Sequence, residues 1–180
     1  QTCPEAEIFP VCARSGAGIP ELAGYLLEHT ASLRQPDTGY GGAEFLAAES
    51  RLSWYDRQYY VKVCCDTFDG NAYLRDLAEG IRCRLGKAGR NIPHLKLFAG
   101  TPEEDWAKLS VLGTEEPLET DRSFAGPVTD MPVILNARAA CEAERFAAIV
   151  DEAMEETGRK YQLETMVFCT KSFGVTEDDR

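Results

Sequence analysis

The chain has 180 residues, 44% of them hydrophobic and 27% charged, with a formal net charge of −11. That length and apolar content suffice for a real core in one or two domains, and so acidic a chain lacks the basic surface that binding to nucleic-acid phosphates demands. No apolar run approaches membrane-spanning length and the first residues lack the charged, apolar and small-residue layout of a signal peptide, so a soluble, cytoplasmic protein is expected.

The first element is a short apolar run, Ile8, Phe9 and Val11, that suits a buried strand. It leads through Gly16-Ala17-Gly18 into a helix opened by Pro20 and Glu21, with Leu22, Tyr25, Leu26 and His29 at helical spacing. A strand, a tight loop and a helix N-terminus form a polar-ligand site found in many α/β proteins. The segment Gln35-Pro36-Asp37-Thr38-Gly39-Tyr40-Gly41-Gly42 then reads as a turn-rich linker.

An internal repeat follows. In the first copy, from Val61 to Ala99, Tyr59, Val61 and Val63 alternate as a strand. Asp69 or Asn71 caps a helix whose apolar face is Leu74, Leu77, Ala78, Ile81 and Leu85, Gly86 and Gly89 end it, and Leu95-Lys96-Leu97-Phe98 is a second strand. In the second copy, from Val133 to Phe173, Val133-Ile134-Leu135 is the strand, and a helix buries Phe146, Ile149, Val150, Ala153 and Met154. Gly158 ends that helix, and Met166-Val167-Phe168-Cys169 closes the unit. Two such units predict an α+β domain with a four-stranded antiparallel sheet and both helices on one face, the ferredoxin-like split βαβ arrangement. An extra strand or hairpin is expected between Trp106 and Leu112, and a loop from Pro117 to Asp130.

Two resemblances give this layout a functional direction. The frame Val11-Cys12-Ala13-Arg14, then Gly16-Ala17-Gly18-Ile19-Pro20-Glu21-Leu22, resembles the last guanine-contacting motif of P-loop GTPases, commonly Ser-Ala-Lys. The resemblance implies that the Ala13 backbone N–H meets the guanine O6 and that Arg14 lies beside the base, while Cys12 replaces the family's Ser. The segments Ala48-Glu49-Ser50-Arg51-Leu52-Ser53-Trp54, Asp69-Gly70-Asn71-Ala72 and Asn91-Ile92-Pro93-His94-Leu95-Lys96 resemble the C-terminal region of CobW-like GTPases, with Ser53 and Pro93 as departures. Together they imply the C-terminal portion of a GTP-binding protein of the cobalamin and metallocofactor chaperone class. Residues 1–33 are then the end of its GTPase domain, 34–48 a linker and 49–180 a ferredoxin-like domain.

The sequence contains neither Gly-x-x-x-x-Gly-Lys-Ser/Thr nor Asn-Lys-x-Asp. The chain alone is therefore expected neither to bind GTP well nor to hydrolyse it, and Gln1 in place of Met suits an excised or processed chain. The seven cysteines include no Cys-x-x-Cys and read as free thiols. The nearest approach to a metal constellation is Cys64 or Cys65 with Cys83 or His94, but adjacent strand residues point to opposite faces, so no metal site is assigned and the metal served, if any, is unknown. No nucleophile–base pair stands out around His29 or His94.

Arg82, Arg84, Lys87 and Arg90 either dock an acidic partner or complement a helix dipole on a wet face, and the acidic 177–179 end reads as a frayed tail. Trp54, Tyr60, His94 and Lys96 are the docking candidates for a protein partner, a corrinoid or metalloprotein, on the sheet face away from the helices. For each the plainer role is structural: a hydrogen-bonded strand histidine, or strand-forming aromatics. The alternative is a self-contained small-ligand or oligomerisation module with an ordinary strand-to-helix turn at its front, and a homo-oligomer suits either reading.

Overall fold

The computed structural model describes residues 7–29, 47–64 and 66–174. The 35–42 segment, Cys65 and the 177–179 tail lie outside them. The chain divides into two units, Gln1–Gly39 and Tyr40–Arg180.

In the first unit the expected buried strand is absent. Residues 7–12 have no strand hydrogen bonds, Ile8 is 87% exposed, and among the described residues no neighbouring strand takes up the backbone groups of this run. An isolated apolar run cannot make a strand without a partner to satisfy those groups. The loop does close: the Gly16 amide donates to the Cys12 carbonyl at 2.9 Å and the Cys12 amide to the Ala17 carbonyl at 2.9 Å. Gly18 has φ of 73°, and a Cβ there would fall 2.1 Å from the Pro10 carbonyl oxygen, so only glycine fits. Helix α1 (Ile19–Glu28) follows, with none of its residues buried.

The second unit is α+β. Its strands are β1 (Ser53–Val63), β2 (His94–Gly100), β3 (Trp106–Val111), β4 (Glu119–Arg122), β5 (Asp130–Ala139) and β6 (Leu163–Gly174), and its long helices are α2 (Gly70–Lys87) and α3 (Ala143–Lys160). The Asp69 carboxylate accepts the Ala72 amide at 2.9 Å and caps α2. The sheet order is β4-β3-β2-β5-β1-β6, and every neighbouring pair is antiparallel. Each helical crossover spans a strand: β1 and β2 lie on either side of β5, and β5 and β6 on either side of β1.

Alternation along the strands sorts the side chains. Tyr55, Tyr59 and Val61 of β1, Leu95, Leu97 and Ala99 of β2, and Met131, Val133, Leu135 and Ala137 of β5 form one core with Leu74, Leu77, Ile81 and Leu85 of α2 and with Phe146, Val150 and Ala153 of α3. Both helices therefore cover the same side of the sheet, and among the described residues of this unit no long helix and no strand is layered over the other side, the open face. Two expectations need correction. The stretch from Pro117 to Asp130 is not all loop: it contributes β4, whose Glu-Thr-Asp-Arg sequence is drawn into the sheet by the free edge of β3, together with the buried Phe124 and Val128. Gly158 does not end α3, which runs on to Lys160, because this glycine is buried beneath β6, where a Cβ would lie 3.9 Å from Thr165 Oγ1.

Candidate docking face

The open face is built in rows by register, because residues directly opposite in an antiparallel pair project to the same side. One row runs Phe173, Trp54, Arg138, His94 across β6, β1, β5 and β2. The next runs Lys171, Asp56, Asn136, Lys96, and a third Cys169, Gln58, Ile134, Phe98. Trp54, Tyr60, His94 and Lys96 thus all sit on the side away from the helices, Lys96 exposed and the other three half-buried. Tyr60 is anchored through its hydroxyl, which donates to Asp130 Oδ1 at 2.6 Å. That bond holds the phenol above and the carboxyl below their usual titration ranges.

At one end of the face the Arg138 guanidinium lies 4.0 Å from the Trp54 ring centroid and pairs with Glu49, while Trp54 stacks on Phe173 at 6.3 Å. At the other, Trp106 lies between Phe98, at 5.8 Å, and the Arg122 guanidinium, at 4.4 Å. Phe98 is 42% and Ile134 45% exposed, so the middle of the sheet presents apolar surface to solvent.

Between these ends a hydrogen-bonded line crosses three strands. Asn136 donates its amide Nδ2 to Asp56 Oδ1, and His94 Nε2 meets Asn136 Oδ1 at 2.7 Å. An ionised carboxylate only accepts, which fixes the amide with its nitrogen toward Asp56 and its oxygen toward the ring. The neutral imidazole must then carry its proton on Nε2, leaving the Nδ1 lone pair as an acceptor or ligand. A long-range nitrogen–proton NMR spectrum is expected to show an exchange-protected Nε2 proton that Asn136→Leu abolishes; a neutral ring protonated on Nδ1 is the opposite result. The sequence reading found His94 but missed Asp56 and Asn136. Their only signal was a polar residue at an outward position of a strand.

The residues implied to contact guanine, Cys12, Ala13 and Arg14, are all exposed on the first unit's loop. The Ser15 hydroxyl holds the Cys12 thiol below its usual range. The basic cluster at the end of α2 is committed elsewhere: Arg82 pairs with Glu79, Arg84 with Glu156, and Arg90 with Glu142. Of the metal constellation, Cys65 lies outside the described residues. Among the described residues no three His, Cys, Asp or Glu side chains converge, and the Cys83 thiol donates to Glu79 Oε1 at 3.2 Å. Among them, too, no helix is long and apolar enough to cross a membrane. Searches of protein-family models, of curated proteins and of solved structures found no match to this chain.

Proposed function

We propose that residues 49–180 are the partner-docking domain of a GTP-binding protein of the CobW-like cofactor-chaperone class, and that its open sheet face binds a protein with an acidic surface, a corrinoid or metalloprotein served by the GTPase in the cytoplasm. The observation that carries this reading is relief from the chain's acidity: on a chain of net charge −11, the open face sets Lys62, Lys96, Lys108, Arg122, Arg138 and Lys171 against Asp56, Glu119, Asp130 and Glu164, with Glu49 and Asp121 paired to Arg138 and Lys108, and it leaves Lys96 exposed. Exposed Phe98 and Ile134 add apolar contact at its centre. The two crossovers, each straddling a strand, support a ferredoxin-like split βαβ core widened by the β3–β4 hairpin. The closed loop before α1, with its obligatory Gly18, supports a guanine-contacting role for Cys12, Ala13 and Arg14.

The test uses the protein with its full GTPase domain. Lys96→Glu is expected to weaken partner-stimulated GTP hydrolysis about tenfold, since like-charge juxtaposition across an interface costs more than a kcal/mol, and to leave basal hydrolysis and thermal stability unchanged. An equal fall in basal hydrolysis overturns the docking assignment. The 180-residue chain alone is expected to show no GTP binding tighter than about millimolar in calorimetry, because its sequence contains no phosphate-binding loop motif.

A further inference from the structure

The longest strand of the sheet is also its edge. β6 pairs with β1 along one side, and among the described residues nothing pairs with its other side; every residue from Glu164 to Phe173 is exposed, Met166 and Phe168 at 62% and Val167 at 48%. Such an edge offers an unpaired row of N–H and C=O groups to another strand, and proteins ordinarily blunt it with short length or charge. The opposite edge is blunted in that way, since β4 has four residues, Glu-Thr-Asp-Arg. β6 is not.

We propose that β6 pairs antiparallel with β6 of a second copy about a two-fold axis at its bulge, joining two six-stranded sheets into one. The argument is self-complementarity of charge and of facing. The register against β1 slips between Gln58 and Tyr59: Gln58 faces Cys169 and Tyr59 faces Val167, which leaves Phe168 as the extra residue. Glu164 lies opposite Lys62 and Lys171 opposite Asp56, so both project from the open face, although at seven positions apart an unbroken strand places them on opposite faces.

A two-fold axis normal to the sheet preserves faces, and paired residues must share one. With the axis between Val167 and Phe168, Glu164 meets Lys171 of the second copy, Thr165 meets Thr170 and Met166 meets Cys169, each pair on a common face. By symmetry Lys171 also meets Glu164, so the interface carries two opposite-charge pairs and two Thr–Thr pairs, the combinations that stabilise neighbouring strands. The charged β4 edge stops further growth, so the assembly closes at two.

Sedimentation velocity over a dilution series of the chain is expected to show a monomer–dimer equilibrium. Lys171→Glu, which sets like charges opposite each other twice, is expected to raise the dimer Kd about tenfold, and the double exchange Glu164→Lys with Lys171→Glu to restore it. An independent readout is Met166→Cys with oxidised glutathione. The new thiol faces Cys169 only across the axis, so a covalent dimer absent from the parent chain is expected. A chain monomeric at every concentration that gives no such cross-link, the result if the edge serves a strand of another protein, overturns the proposal. A dimer indifferent to Lys171→Glu does the same.

Discussion

Phe146→Ala is expected to lower the unfolding free energy by about 3–5 kcal/mol, whereas Phe98→Ala, the same deletion of atoms, is expected to stay within about 1 kcal/mol of the parent. Phe146 is fully buried on α3 and meets the Tyr55 ring at 5.7 Å, between the helix and the sheet, where no side chain can collapse into the space without moving the helix. Phe98 stands on the other side of the sheet, 42% exposed, with Trp106 on one flank and water on the other. Urea denaturation of the two variants measures the difference. Comparable losses would mean that the open face is covered in the free protein, and the docking role would then lose its surface.

The second large effect is alkaline. Burial pushes the Tyr73 phenol up to about 12, and burial raises Tyr59, whose hydroxyl accepts from Tyr73 at 3.2 Å, well above its ordinary range. A phenol that keeps its proton longer when folded binds more protons in the native than in the unfolded chain, so stability falls as pH rises. Tyr73's contribution is fully present below about pH 10, the value for an unfolded tyrosine, and is lost progressively between about 10 and 12. Two units at 1.36 kcal/mol each make that loss about 3 kcal/mol for Tyr73 alone. Tyrosinate absorbance is expected to rise together with loss of circular dichroism in one cooperative step, and Tyr73→Phe to shift that step to higher pH. Phenols that titrate while the protein stays folded would show that water reaches the Tyr59–Tyr73 pair.

The helices were legible in the sequence because each wrote its own period. Leu74, Leu77, Ala78, Ile81 and Leu85 mark a buried stripe, and Asp69 sits where a cap belongs. Strands with alternating apolar residues, such as β2 and β5, were legible for the same reason, and so was the side of the sheet on which His94 and Lys96 fall. β4 was not, because Glu-Thr-Asp-Arg carries no apolar alternation and is a strand only by pairing with β3. Gly158 misled because a helix-ending glycine and a glycine packed under a strand look alike in one dimension. The Asp56–Asn136–His94 line was out of reach, since it depends on the register of β1 and β2 against β5, and pairings between such distant segments leave no local trace. The bulge at Phe168 was equally hidden, although it decides which residues of β6 share a face.

The amide in the middle of that line has a consequence of its own. Asn136 carries no titratable proton, so the path from Asp56 to His94 passes orientation and never charge. Replacing Asp56 by leucine removes that acceptor, which frees the amide to rotate by half a turn and present its NH2 to the imidazole. The ring must then accept through Nε2 and move its own proton to Nδ1. The carboxylate thereby sets the address of the histidine's lone pair from two strands away, as a compass needle is turned without being touched.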